Sequence, residues 1–305
     1  VICEEILEEK HPLLIIDTEG EYYGLKEEYE LLHVGADEEC DLQVSPEHAE
    51  KIADLCLEKN VPIILDVSGY IEEETCNKLI YRTCKALFDK EKKLKRPFPI
   101  LVEEAHEFMP EQGSVGEDGE VTDILIKIGK RGRKRGLGIC ALSQRPASVD
   151  KDYITQSDYR VWHKVTWNND IETVRKVLGK EYADEIDTLE VGEAFLEAEF
   201  IEEDVLKVRF RKKKTFDAGA TPDLSEFEKP ELKSVDEDLV GELEEISQEQ
   251  RRREDKLAKK EQEIEELQET IEDLEDELAK EREATDLAER ITERFAGGDA
   301  DVEAQ

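Results

Sequence analysis

Short apolar runs alternate with amphipathic stretches through the first two-thirds of the chain, a rhythm that predicts βαβ units around a mainly parallel sheet. Residues 13–17 (LLIID), 62–66 (PIILD), 99–102 (PILV) and 137–142 (LGICAL) are continuous apolar runs of strand length, as expected of strands covered on both faces. Residues 31–35, 41–44 and 159–165 read as further strands. Helical patterning runs over residues 1–9, 46–59 and 72–93, with Leu79, Ile80, Thr83 and Leu87 sharing one face of the last. Val121, Ile124, Leu125 and Ile128 fall at i, i+3, i+4 and i+7 of another helix, for which Gly132 is the expected stop. The Gly- and acid-rich residues 111–119 before it read as a loop. Residues 193–200 and 204–211 alternate in period two and predict an antiparallel hairpin closing the edge of the same sheet.

The pattern changes after residue 216. Pro, Gly, Asp and Ser mark a linker over residues 217–235, and beyond it the apolar period becomes that of a heptad. Leu239, Leu243, Ile246, Leu257, Ile264, Leu267, Ile271, Leu274 and Leu278 fit one a/d register, which predicts a coiled coil over residues 236–295. Gln250, Arg253 and Lys260 interrupt the seam, so a single solvated helix is the other reading. Residues 296–305 are expected to be a disordered tail. The organisation is thus an α/β domain over residues 1–216, a linker, a charged helix and a tail.

Charge changes the picture next. Eighty acidic residues against 43 basic give a formal net charge of −37, which repels nucleic acid over most of the surface at ordinary salt. Such a surface suits concentrated salt, as in a salt-accumulating archaeon, or basic protein partners. There is no apolar run long enough to span a membrane and no signal-peptide pattern at residue 1, so the expected location is cytoplasmic. Cys3, Cys40, Cys56, Cys76, Cys84 and Cys140 are scattered without zinc-ligand spacing and are expected to be reduced thiols.

Two blocks carry chemistry. PILVEEAHEFMP (99–110) is an apolar strand ending in two acids, the arrangement by which P-loop ATPases present carboxylates at the carboxyl edge of a sheet. Adjacent strand residues point to opposite faces, so Glu103 and Glu104 divide the work. By position Glu103 suits the Mg²⁺ shell and Glu104 the attacking water. The strand at 137–142 ends in Ser143-Gln144-Arg145-Pro146, where Gln144 suits a sensor of the γ-phosphate. Ahead of it lies a cationic island of Lys127, Lys130, Arg131, Arg133, Lys134 and Arg135. An arginine finger for a neighbour's nucleotide, a DNA-backbone contact and a basic helix end are all compatible with it.

Taken together, LLIIDTEGEY (13–22), IILDVSGY (63–70), LVEEAHEFMP (101–110) and GRKRGLGICALSQRP (132–146) resemble the ATPase core of HerA-type archaeal helicase-translocases. That family is grouped with FtsK and the conjugative coupling proteins as ring-forming DNA pumps. The resemblance implies a RecA-like P-loop NTPase sheet, ATP and Mg²⁺ as ligands, double-stranded DNA as partner and a homo-oligomer, a hexamer. It assigns Glu103 and Glu104 to the Walker B pair, Gln144 to the sensor and Arg133 or Arg131 to the trans-acting finger. Asp17 and Glu21 match the strand and turn after the P-loop helix, without a role that spacing defines.

One departure stands against the matches. No G-x-x-x-x-G-K-[ST] occurs in the 305 residues, so no backbone cradle or lysine for phosphates is present in them. Residues 1–9 have the pattern of a helix that follows such a loop, and no Met begins the chain. The expectation is an N-terminally incomplete fragment of an active enzyme, which by itself binds ATP poorly. The rival expectations are a degenerate ATPase working as an adaptor through its coiled coil, and a membrane- or pilus-associated packaging ATPase of the same superfamily. The coiled coil would serve self-association or recruit a nuclease.

Overall fold

A computed structural model describes residues 1–219 apart from 114, 115, 200 and 203, and beyond them only Leu232, Lys233, Gly241 and Gln248. The expected coiled coil and tail, and most of the linker, lie outside the described residues. The elements run α1 (Ile2–Glu8), β1 (Leu14–Asp17), β2 (Leu32–Gly35), β3 (Leu42–Gln43), α2 (Ala49–Leu57), β4 (Ile63–Asp66), α3 (Glu73–Leu94) and β5 (Phe98–Val102). They continue with α4 (Ala105–Phe108), α5 (Glu117–Arg131), β6 (Leu137–Ala141), α6 (Lys151–Gln156), β7 (Tyr159–His163), α7 (Asn168–Val177), α8 (Lys180–Glu185), β8 (Glu193–Ala198) and β9 (Leu206–Arg209).

The main sheet has the order β3-β2-β4-β1-β5-β6 and every pairing in it is parallel. Strands β1, β2 and β4 are buried at every residue, which explains their unbroken apolar runs. Alternate residues serve two cores. Leu14 and Ile16 pack with residues of α2, α3 and α5, including Ile52, Leu87 and Leu125. Leu13 and Ile15 face the other way, against Cys3 and Leu7 of α1 and Leu25. The second face is thinly covered: Cys140 and Leu142, on and just after β6, remain only half-buried there.

The register brings the strand ends into line. Asp17 is the Cα partner of Asp66, Ile16 pairs with Val102, and Val102 with Ala141. Residues 17, 66, 103 and 142–144 therefore share the carboxyl edge, where ligands bind in open parallel sheets.

The closing hairpin is corrected by the structure. Strands β8 and β9 pair antiparallel, but with β7 they form a separate three-stranded sheet, β7-β8-β9. Its core joins Trp162 and Phe195 to Val174, Ala183, Ile186 and Leu189, contributed by α7, α8 and the turn that follows. Period-two alternation states which side of a hairpin is buried; it does not state which strand the hairpin joins. The chain between β6 and β7 leaves the main sheet through α6, and the apolar face of α7 and α8 supplies the covering layer. One boundary also shifts: α5 begins at Glu117, inside the expected loop; it ends at Arg131 with Gly132 as its C-cap, as expected, though Gly132 is right-handed (φ −64°). The left-handed stop is Gly136 (φ 92°), after a 3₁₀ turn over Arg133–Arg135.

Candidate active site at the carboxyl edge of the sheet

Strand β5 ends at Val102, yet the next residues remain tied to both neighbours. Glu103 N–H donates to Ile16 O of β1 (3.1 Å) and Ala105 N–H to Leu142 O beyond β6 (2.7 Å). Glu104, between them, is left-handed (φ 40°, ψ 48°), a conformation that costs a non-glycine residue about 1–3 kcal/mol and that clusters at functional sites. The twist turns consecutive glutamates to different neighbours, Glu103 toward β1 and Glu104 toward the end of β6.

Glu103 sits among acids. Its Oε2 accepts from Thr18 N–H (3.2 Å) and Thr18 Oγ1 (3.3 Å). Burial, and then the hydrogen-bonded Asp17 carboxyl beside it, push the Glu103 carboxyl up to about 8. Asp17, itself fully buried, is also raised, first by burial and further by Asp66, against the pull of backbone N–H groups. Those donors are Gly20 (2.8 Å), Glu21 (3.3 Å) and Tyr22 (2.9 Å), so one carboxylate shapes the whole 18–22 turn. Among the described residues no cation reaches the Asp17–Glu103 pair, so burial and the neighbouring acids are not offset there by a positive charge.

Glu104 has polar company instead. Gln144 Nε2 donates to Glu104 Oε1 at 2.7 Å. His106 Nδ1 lies 3.0 Å from Glu104 Oε2 and 3.2 Å from Ser143 Oγ. Oε2 is nonetheless buried without a hydrogen bond, because the imidazole nitrogen is out of line with it. An acceptor aimed inward and left open is a place for a donor from outside the chain, such as a water.

The sequence-derived residues thus divide. Glu103, Glu104 and Gln144 come together at one edge. Arg131 and Arg133 do not: Arg131 ends α5 and Arg133 lies in the 3₁₀ turn before β6, at the amino end of the strand whose carboxyl end leads to Gln144. Five strand residues, about 17 Å, separate the two ends. Arg133 is exposed and pairs with Asp158 (3.2 Å), while Arg131 and Lys134 are exposed and have no ion-pair partner among the described residues. Arg135 is structural, donating to Phe88 O (2.7 Å) and stacking on the Phe88 ring (3.7 Å). Lys130 pairs with Asp152 and Lys127 lies over Phe88. His106, Ser143 and Thr18 are site members that sequence reasoning missed. The first two lay inside the quoted EEAH and SQRP blocks.

No family model matches the chain. It is similar to the DNA double-strand break repair helicase HerA of Pyrococcus furiosus, 33% identical over 103 residues, covering 33% of this chain and 18% of that protein. The probable HerA helicase of Methanocaldococcus jannaschii is 32% identical over 104 residues (33% and 20% covered). HerA of Saccharolobus solfataricus is 26% identical over 137 residues (41% and 27% covered). The matched stretch therefore spans about a fifth to a quarter of these relatives' own length. Among solved structures, the genome packaging NTPase B204 from Sulfolobus turreted icosahedral virus 2, in complex with ATP-gammaS, has a TM-score of 0.46 at 14% identity, over 65% of this chain and 81% of that one.

Proposed function

We propose that these residues form the core of a RecA-like ATPase that assembles as a ring, a hexamer, and moves double-stranded DNA. The observation that carries the reading is the carboxyl edge itself. One acid (Glu103) has no cation beside it among the described residues, and the next (Glu104) is held by a glutamine from the adjacent strand with one oxygen left open. Similarity to archaeal HerA helicases supports ATP and DNA as the ligands.

The donor set fits Mg²⁺. Glu103, backed by Asp17, would hold it, and the ion when bound supplies charge neutralisation on phosphate oxygens. A cation held there would offset the electrostatic cost of two adjacent carboxylates. Glu104 orients the attacking water through its open oxygen, while the Gln144 amide fixes the carboxylate and contacts the γ-phosphate. His106 and Ser143 hold the far side of that network. Arg131 or Arg133, at the opposite end of β6, acts on a neighbouring subunit's nucleotide.

The reading requires a phosphate-binding loop that the 305 residues do not contain. Strand β6 has no second partner among the described strands, and its outer residues Ile139, Cys140 and Ala141 are half-buried. We assign that edge to a further parallel strand carrying the loop, which would set phosphates beside Gln144. The acidic surface is reconciled with DNA by confining contacts to a central pore and by high working salt. A nuclease or other protein partner would be recruited through residues 236–295.

In the full-length gene product, duplex DNA is expected to stimulate ATP hydrolysis, and stimulation is expected to persist in molar KCl. Glu104→Gln should lower turnover by about 10²–10⁴-fold while nucleotide binding is retained. Wild-type turnover in that variant would remove Glu104 from the chemistry and the reading with it.

A further inference from the structure

Beside the Asp17–Glu103 pair, on the β2–β4 side of Asp17, the fold gathers His33, Cys40 and Asp66, whose ligand atoms all lie within 4.8 Å of one another. They come from three places: His33 from β2, Asp66 from the end of β4, and Cys40 from the loop before β3. His33 and Asp66 are buried and Cys40 is half-buried. His33 Nε2 is 2.9 Å from Asp66 Oδ2 and 3.7 Å from Cys40 Sγ.

The shared nitrogen decides what the group can do. In a nucleophilic relay the thiol and the carboxylate engage opposite nitrogens of the imidazole, so that one accepts a proton while the other steadies the ring. Here both face Nε2, and no relay is possible. Three donors of different chemistry converging on one point is instead the arrangement of a metal site. Tetrahedral zinc places N, O and S ligands about 3.3–3.6 Å apart, between the two distances seen.

The surroundings fit a cation as well. Asp66 Oδ1, the oxygen turned away from His33, accepts from Ser68 N–H (3.0 Å) and Ser68 Oγ (2.6 Å), which orients the carboxylate as a ligand's outer partners do. Asp41 Oδ2 accepts from His33 N–H (2.8 Å), and Cys40 N–H donates to Asp37 O (3.2 Å), so the loop is closed around the group.

We propose that His33, Cys40 and Asp66 bind one zinc ion, with a water in the fourth position. Binding expels the Cys40 thiol proton to solvent and leaves the imidazole proton on Nδ1, so thiolate, carboxylate and Zn²⁺ together are neutral. The ion braces the turn that carries Asp17. A Cβ on Gly20 would lie 2.9 Å from Ser68 Oγ and 3.3 Å from Asp66 Oδ2, so the 66–68 segment already packs on that turn.

The test is metal uptake by the whole chain, free of any histidine tag and of nucleotide. Equilibrium dialysis against micromolar Zn²⁺ should load one equivalent, and Co²⁺ should give a near-ultraviolet thiolate-to-cobalt absorption band. That band separates this site from the carboxylates of Asp17 and Glu103, which carry no sulfur. Cys40→Ala and His33→Gln should each abolish the band, with folding checked by thermal melts. Cys76→Ala should leave the band intact, and Ser68→Ala should weaken affinity by about 10–100-fold. A wild-type chain that takes up no equivalent, or a thiolate band that survives Cys40→Ala, overturns the proposal. Because ATP is absent throughout, failure here leaves the ATPase reading standing.

Discussion

Two glutamates in different regions, Glu4 of α1 and Glu103 at the end of β5, show how differently this fold treats a carboxylate. Burial alone would raise both. At Glu4, fully buried, it is outweighed by the N–H of Thr215, the Arg211 guanidinium, the N–H of Lys214 and the Thr215 hydroxyl, which lower the carboxyl to about 2. Their distances run from 2.5 Å for Arg211 to 3.0 Å for Thr215. At Glu103 the neighbour is another carboxyl and the value rises to about 8. The chain provides the first acid with everything it needs, which makes Glu4 a clasp between α1 and the segment after β9. It leaves the second short of positive charge, and a carboxylate in that state is poised for an external cation.

The largest stability effect should come from breaking the satisfied partner. Glu4→Gln replaces a buried carboxylate that accepts from Arg211, Lys214 N–H and Thr215 by an amide that can accept through one oxygen only, while Arg211 keeps Glu5, and is expected to cost about 2–3 kcal/mol in urea unfolding. Glu103→Gln should act oppositely above pH about 8 in the absence of divalent ions, removing a charge the fold disfavours and raising Tm by a few degrees, about 1 kcal/mol. A loss of stability on Glu103→Gln would contradict the account of a cation-deficient site.

The pH dependence sharpens the same contrast, because the two signs differ. Glu4 is lowered from its ordinary value near 4.5, so its contribution is complete above about 4.5 and is lost as pH falls toward about 2. Glu103 is raised, so stability tied to its protonated form is complete below about 4.5 and is lost as pH rises through about 8. Divalent-free unfolding free energy should therefore decline on both flanks. Glu4→Gln should flatten the acid flank and Glu103→Gln the alkaline one. The smallest effect is expected from Thr215→Val, which removes one hydroxyl donor among several to Glu4 and should cost about 1 kcal/mol.

Much of the site was legible in the sequence because its members end apolar runs. A strand terminating in Glu103-Glu104 and another terminating in Ser143-Gln144 must place those side chains at sheet ends, whatever the strand order. The contact between Gln144 and Glu104 required β5 and β6 to be neighbours in register, which the pairing of Val102 with Ala141 provides. The raised acidity range of Glu103 was not legible, since Asp17 lies 86 positions away in the chain and meets it only across β1 and β5. The same holds for His33, Cys40 and Asp66, whose spacing matches no ligand motif.

Apolar periodicity by itself determined the strands and helices of the parallel sheet, because an element buried on both faces must be apolar throughout and one buried on a single face must alternate. It also determined that acids and a glutamine stand at strand ends. Strand order, the departure of the β8–β9 hairpin into a second sheet, and the meeting of Asp17 with Glu103 were decided only by tertiary structure. Those outcomes depend on which surfaces find each other across long loops, and a one-dimensional pattern encodes how much surface a segment must bury rather than its partner.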